Sequence, residues 1–111
     1  MRRGEVYYNE HLAGILTETD DGEYVFQYDP GYIREHPQEF ITFKMPVTRK
    51  KYSDKRLFPF FEGLIPEGWL LEIASESWRI NKNDRMGLLL ACCQNCIGAV
   101  SVKPIPENDG E

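Results

Sequence analysis

The chain has 111 residues, 41% of them hydrophobic and 28% charged, which is enough for one compact domain and too little for two. Its formal net charge of −5 makes it a poor binder of nucleic acid on its own. No apolar run approaches the ~20 residues needed to cross a membrane. The basic start Met1-Arg2-Arg3 is followed by no apolar signal core, so a cytoplasmic location is expected.

In chain order, Glu5–Asn9 is short, aromatic and β-prone. Residues 12–19 and 23–28 flank Asp20-Asp21-Gly22, whose residue types tolerate the positive φ of tight turns. These two segments are predicted to form a hairpin, with 5–9 as a third antiparallel strand. Asp29-Pro30-Gly31 ends the hairpin, and Tyr32–Glu39 holds a helical turn that Pro37 keeps short. Phe40–Lys44 reads as a fourth strand, closed by Met45-Pro46. Val47–Arg56 reads as a polar, basic loop.

Leu57–Trp69 is the apolar centre of the sequence. Leu57, Phe58, Phe60, Phe61, Leu64 and Ile65 are interrupted by Pro59, Gly63, Pro66 and Gly68. Burying each large side chain gives roughly 1.5–3 kcal/mol, so this stretch belongs in the core. Phe58–Gly63 is predicted as a short helix ending at Gly63. A second helix covers about 67–79, with an inward stripe of Leu70, Ile73, Ala74, Ser77 and Trp78. A third spans about 84–93 and buries Met86, Leu89, Leu90 and Cys93. Cys96–Lys103 is a returning strand, and Pro104–Glu111 a frayed tail. The fold class is therefore α+β: an antiparallel sheet of about four to five strands covered on one face by two to three short helices. One domain, 1–103, carries a flexible tail, 104–111.

Catalytic motifs are absent from the sequence. It contains no glycine-rich phosphate loop, no kinase triplet and no HExxH. Cys92, Cys93 and Cys96 are odd in number, and the only histidines, His11 and His36, lie far away in sequence. Buried thiols acting as small apolar groups fit better than a metal site, and no cofactor is expected. The acids Glu62, Glu67, Glu72 and Glu76 read first as a solvated helix face. Lys44, Arg49, Lys50, Lys51, Lys55 and Arg56, opposed only by Asp54, read either as a solvated loop or as a docking surface for an acidic patch on a partner. On a helical wheel centred on Leu70, Trp69 falls about 100° from the centre of the apolar stripe, at its edge, on the side shared with Glu72 and Glu76. It either folds back over Phe61 or Leu64, or is partly exposed as an interaction hot spot.

FPFFEGLIPEGWLLE, followed by the Ile80–Asp84 turn, Leu88-Leu89-Leu90 and Cys96-Ile97-Gly98-Ala99-Val100, resembles the N-terminal subdomain of HipA-type serine/threonine kinases. These kinases are the toxins of bacterial toxin–antitoxin modules. The motifs occur in order over about two-thirds of the chain, while nothing matches the kinase body that carries the ATP-binding lysine, catalytic aspartate and metal ligands. A free-standing subdomain of this kind is similar to the HipS-type antitoxins of tripartite HipB–HipS–HipT systems. The resemblance implies a protein that is not an enzyme. It implies an antitoxin that neutralises a HipT-like kinase near its active site, with Trp69, Glu67, Glu72 and Glu76 as the partner-binding residues. The alternatives are a non-inhibitory assembly subunit joining the kinase to a HipB-like helix-turn-helix repressor, and a small enzyme of unknown type.

Overall fold

The computed structural model of the chain describes residues 1–65, 68–94 and 99–106, and for Trp69, Leu70, Ala74 and Trp78 the backbone alone. Five strands form one antiparallel sheet. They are β1 (Arg2–Tyr8), β2 (His11–Glu18), β3 (Tyr24–Tyr28), β4 (Tyr52–Asp54) and β5 (Val100–Ile105), in the order β4-β3-β2-β1-β5. The helices are α1 (Pro30–Glu35), α2 (Pro59–Glu62), α3 (Gly68–Trp78) and α4 (Arg85–Cys92).

Local chemistry explains the hairpins. Asn9 adopts a φ of 57° between β1 and β2, a left-handed value that asparagine tolerates. Gly22, at a φ of 84°, closes the β2–β3 turn as the Asp-Asp-Gly signal predicts. β2 carries one extra residue, Ala13, where the pairing steps from Val6↔Gly14 to Tyr7↔Leu12. This bulge has a use, because the Ala13 carbonyl accepts from the Asp29 N–H at 2.7 Å. Asp29 then caps α1 through its carboxylate, which accepts from the Gly31 and Tyr32 N–H groups, and Pro30 occupies the first turn. At Gly14 a Cβ would collide with the Gln27 carbonyl oxygen and the Phe26 ring, so only glycine lets β2 and β3 approach this closely.

One face of the sheet builds the core. Val6, Leu16, Phe26, Tyr28, Val100 and Val102 point there with the two-residue period of strands. They meet Leu57, Phe58, Phe61, Ile65, Met86, Leu88 and Leu89 from the helical half. The apolar centre predicted around Leu57–Ile65 is thus in place, with Phe61 fully buried, Phe60 and Leu64 half-buried, and Gly63 capping α2. α4 buries a wider arc than the predicted stripe: Leu88 joins Met86, Leu89 and Cys93, while Leu90 is half-buried. The helix packs between α2, α3 and β5, so more than one side is covered.

Three expectations are corrected. Phe40–Lys44 is not a strand; Tyr52–Asp54, placed in the basic loop by sequence, is the fourth one. Ile41 and Met45 turn inward at a four-residue spacing, while Phe40 and Phe43 face solvent, which no strand period allows. Two members of the predicted inward stripe of α3 are also corrected, while the side chains of the other three, Leu70, Ala74 and Trp78, lie outside the described residues. Ile73 is 51% exposed and Ser77 is exposed, whereas Leu71 is half-buried and Ser75 buried. Leu70 and Leu71 are adjacent, so the apolar residues support more than one stripe; the small Ser75 fits the tight side, with its hydroxyl donating to the Glu72 carbonyl at 3.0 Å. Finally, β5 continues through Pro104 and Ile105, which pair with Gly4 and Arg3. Proline is tolerated because β5 is an edge strand. The predicted strand start at Cys96 and the tail residues 107–111 lie outside the described residues.

Candidate interaction surface

The predicted binding residues centre on α3. Glu72 and Glu76 lie one turn apart and are both exposed, with Ile73 beside them on the same outer side. The Glu72 carboxylate pairs with the Lys82 ammonium, while among the described residues Glu76 enters no ion pair. The helix ends in a left-handed residue, Arg79, at a φ of 55°, and the Ile80 N–H donates to the Ser75 carbonyl at 2.9 Å. This closure sets the turn that carries Lys82. Glu67 lies outside the described residues, and of Trp69 only its backbone position in the first turn of α3 is described. The structure therefore brings Glu72 and Glu76 together.

Glu62, the fourth helical acid, is structural. Its carboxylate accepts three bonds from the Arg85 guanidinium, two from Nε and one from Nη2, at 2.9–3.2 Å, tying α2 to α4. His36 shares Nδ1 with the Glu39 carboxylate at 2.8 Å, and its ring lies 4.7 Å from that of His11 and 4.9 Å from that of Tyr32. Among the described residues, no group of three or more His, Cys, Asp or Glu side chains is placed to hold a metal ion.

Beside the basic 44–56 segment lies an apolar groove that sequence missed. Phe43, 71% exposed, overhangs a groove of about 510 Å³ lined also by Met45, Tyr52, Phe58, Pro59 and Phe60. Tyrosine hydroxyls hold the loop that presents Phe43. Tyr28 donates to the Met45 carbonyl at 2.5 Å and accepts from the Ile41 N–H at 3.1 Å. Tyr32 donates to the Glu39 carbonyl at 2.5 Å, and Tyr52 to the Pro46 carbonyl at 2.6 Å. Burial pushes the Tyr28 and Tyr32 phenols up to about 12, and that of Tyr52 upward, so all three stay protonated donors at neutral pH. The overlooked signal is the four-residue spacing of Ile41 and Met45, which sets Phe43 on the opposite side.

The sequence profile of the HipA N-terminal domain matches residues 4–103. The chain belongs to the HipA N-terminal domain family. Its fold agrees with a solved structure described as the N-terminal domain of HipA toxin, with a TM-score of 0.73 at 25% identity, covering 97% of this chain and 96% of that one. An uncharacterized protein of Haemophilus influenzae is 31% identical over 103 residues, 93% of this chain and 92% of that protein. This HipA N-terminal domain therefore stands in a HipA-related toxin–antitoxin context, and it is not the catalytic part of the kinase. Among the described residues no helix is long and apolar enough to cross a membrane.

Proposed function

We propose that this HipA N-terminal domain is a non-enzymatic, cytoplasmic antitoxin of the HipS type. It binds a HipT-like serine/threonine kinase in trans and holds it inactive from beside its active-site cleft. The observation that carries this reading is the family match over residues 4–103, supported by a relative 31% identical that the chain covers over 92% of its length. A domain without the catalytic part of the kinase contributes by contact.

The α3 flank is the proposed contact. Glu72 and Glu76 are exposed and set around the apolar Ile73, and Glu67 stands upstream in the sequence. This acidic flank complements the cations that a kinase keeps near its phosphate site. Trp69, in the first turn of α3, supplies a rigid aromatic of the type most enriched among hot spots, where truncation costs ~2 kcal/mol or more.

The test is growth rescue in cells that express a HipA-type kinase from the same genome and no HipB-like repressor. The parent chain is expected to restore growth. Trp69→Ala and the pair Glu72→Lys with Glu76→Lys are expected to melt like the parent yet lose kinase binding and rescue. A parent chain that binds the kinase but rescues only when the repressor is present is an assembly subunit instead. Rescue that survives the two glutamate reversals would move the contact away from α3, even if Trp69→Ala proves unable to fold.

A further inference from the structure

Among the described residues the sheet ends on one side at β4, which pairs with β3 and with no other strand. Alternate backbone N–H and C=O groups of an edge strand point away from its neighbour and can take another strand. Natural edges are commonly blunted with lysine, and Lys51 and Lys55 bracket these three residues. Protection alone does not account for what lies alongside. The apolar groove under Phe43 shares Tyr52, Ser53 and Asp54 with this edge, and its other walls are Phe58, Pro59 and Phe60. Edge protection gives no reason to leave a phenylalanine 71% exposed above it.

The segment 44–56, which supplies β4 and part of the groove wall, is predominantly cationic. Lys44, Arg49, Lys50, Lys51, Lys55 and Arg56 are all exposed, and among the described residues none of them enters an ion pair. Lys44 and Asp54 are the charged residues of the groove wall itself, and Lys51 and Lys55 stand at the two ends of β4, while Arg49 and Lys51 line neighbouring clefts. Across 44–56 six cations accompany one acid, Asp54, whose carboxylate already accepts from the Arg56 N–H at 3.2 Å. The rest of the chain is acidic enough to bring the total to −5.

We propose that β4 and the groove beside it receive an extended, acidic segment of a partner protein. The segment adds a strand to the edge, seats alternate apolar side chains against Phe43, Tyr52 and Phe60, and sets its carboxylates against the lysines. Main-chain pairing supplies affinity and the groove supplies side-chain selection, as in other strand-addition complexes. A second copy of this chain is disfavoured, because two basic edges repel. A nucleic acid strand offers no backbone donors and acceptors in β register, and a long polyanion meets the net negative charge of the remainder. This surface uses other residues than the α3 flank and stands or falls independently of it.

The experiment is an NMR titration of the full chain with a short synthetic peptide that alternates glutamate with valine. The expected result is saturable movement and slowed hydrogen exchange of the amides of 52–54, with binding weakened by added salt. Phe43→Ser, at a solvent-facing position, is expected to weaken binding by about tenfold. Lys44→Glu combined with Lys55→Glu is expected to do so by a similar factor, and to reverse the preference towards a lysine–valine peptide. The proposal is overturned if the amides of 52–54 do not move, or if the lysine–valine peptide binds the parent equally well. It is overturned equally if an oligothymidylate occupies the same residues more tightly, or if protein concentration alone produces the same shifts.

Discussion

Tyr28 shows how one residue fixes a functional surface at a distance. Its ring lies edge-on to Phe26 at 4.9 Å and stacks over Tyr32 at 6.0 Å, within the core. Its hydroxyl donates to one backbone group of the 41–45 loop and accepts from another, so a single oxygen holds both ends of the turn that carries Phe43. Tyr28→Phe keeps the packing and strands the Met45 carbonyl and the Ile41 N–H. Leaving buried groups unpaired costs about 1–3 kcal/mol, readable as a lower urea midpoint. The pH dependence has a definite sign. Burial raises the phenol to about 12 in the folded chain, against about 10 in the unfolded one. The protonated form is thus the one the fold prefers; its contribution is complete below pH ~10 and is lost as pH rises through about 12. Tyr28→Phe is expected to show a shallower alkaline loss of stability than the parent, with the remainder shared by Tyr32, also near 12, and by Tyr7, Tyr24 and Tyr52, whose phenols burial also raises. Equal alkaline slopes for the two proteins would refute the assignment.

The elements divide by where their signals lie. The β2–β3 hairpin, α2 and α4 are each specified within a few residues, by Asp20-Asp21-Gly22, Pro59 with Gly63, and Asp84, and sequence placed them well; α1 runs over Pro30–Glu35 rather than within Tyr32–Glu39, because Asp29-Pro30, read as the end of the strand, also starts the helix. β4 has no such signal. Tyr52-Ser53-Asp54 becomes a strand because it lies beside Phe26, Val25 and Tyr24, a pairing more than two dozen positions away in sequence. The inward face of α3 likewise depends on which side meets α4, and neighbouring leucines leave its wheel ambiguous. For the proposed contact, the exposed pair Glu72 and Glu76 was legible, whereas the Phe43 groove was not, since the spacing of Ile41 and Met45 hints at the loop but tyrosine hydroxyls from distant positions hold it in shape. Helix α2 offers a direct test at this scale. Phe61 is fully buried against Phe26, Phe58 and Phe60, while Phe60 is half-buried at the groove. Phe61→Ala is expected to cost about 3–5 kcal/mol and Phe60→Ala distinctly less. Denaturant unfolding of both variants decides it, and the reverse order would place the wrong ring at the centre.

At the scale of the molecule, the chain is closed by its beginning. β1 lies between β2 and β5, so the first strand pairs with the last described one and completes the sheet under α4. Gly4 makes this possible, because a Cβ there would come within 2.8 Å of both Leu90 and Val102. Arg2 then locks the closure. Its guanidinium donates to Glu18 on β2 at 2.7 Å and, through two nitrogens, to Asp84 at 2.7 and 3.0 Å. Asp84 is also the cap of α4, its carboxylate accepting from the Gly87 N–H at 3.1 Å. The Arg2 hydrogen bonds hold the Asp84 carboxyl below the usual range; partial burial opposes them, and the Gly87 N–H adds to the lowering. A carboxyl lowered by folding stabilises the fold above the unfolded-state value of about 3.9, and that contribution is lost as pH falls through the lower folded value. The pair is about a third exposed, so solvent screening limits it to about 1 kcal/mol. Arg2→Met, which keeps an apolar stem of similar length, is therefore expected to lower stability at neutral pH by about that amount. It is also expected to flatten the acid limb below pH ~4, because Asp84 then titrates nearer its unfolded value. Urea unfolding of parent and variant across pH reads both effects. A variant whose stability runs parallel to the parent's down to the acid limit would mean that Arg2 does not govern the Asp84 cap, and that β1 is held to α4 by its apolar contacts alone.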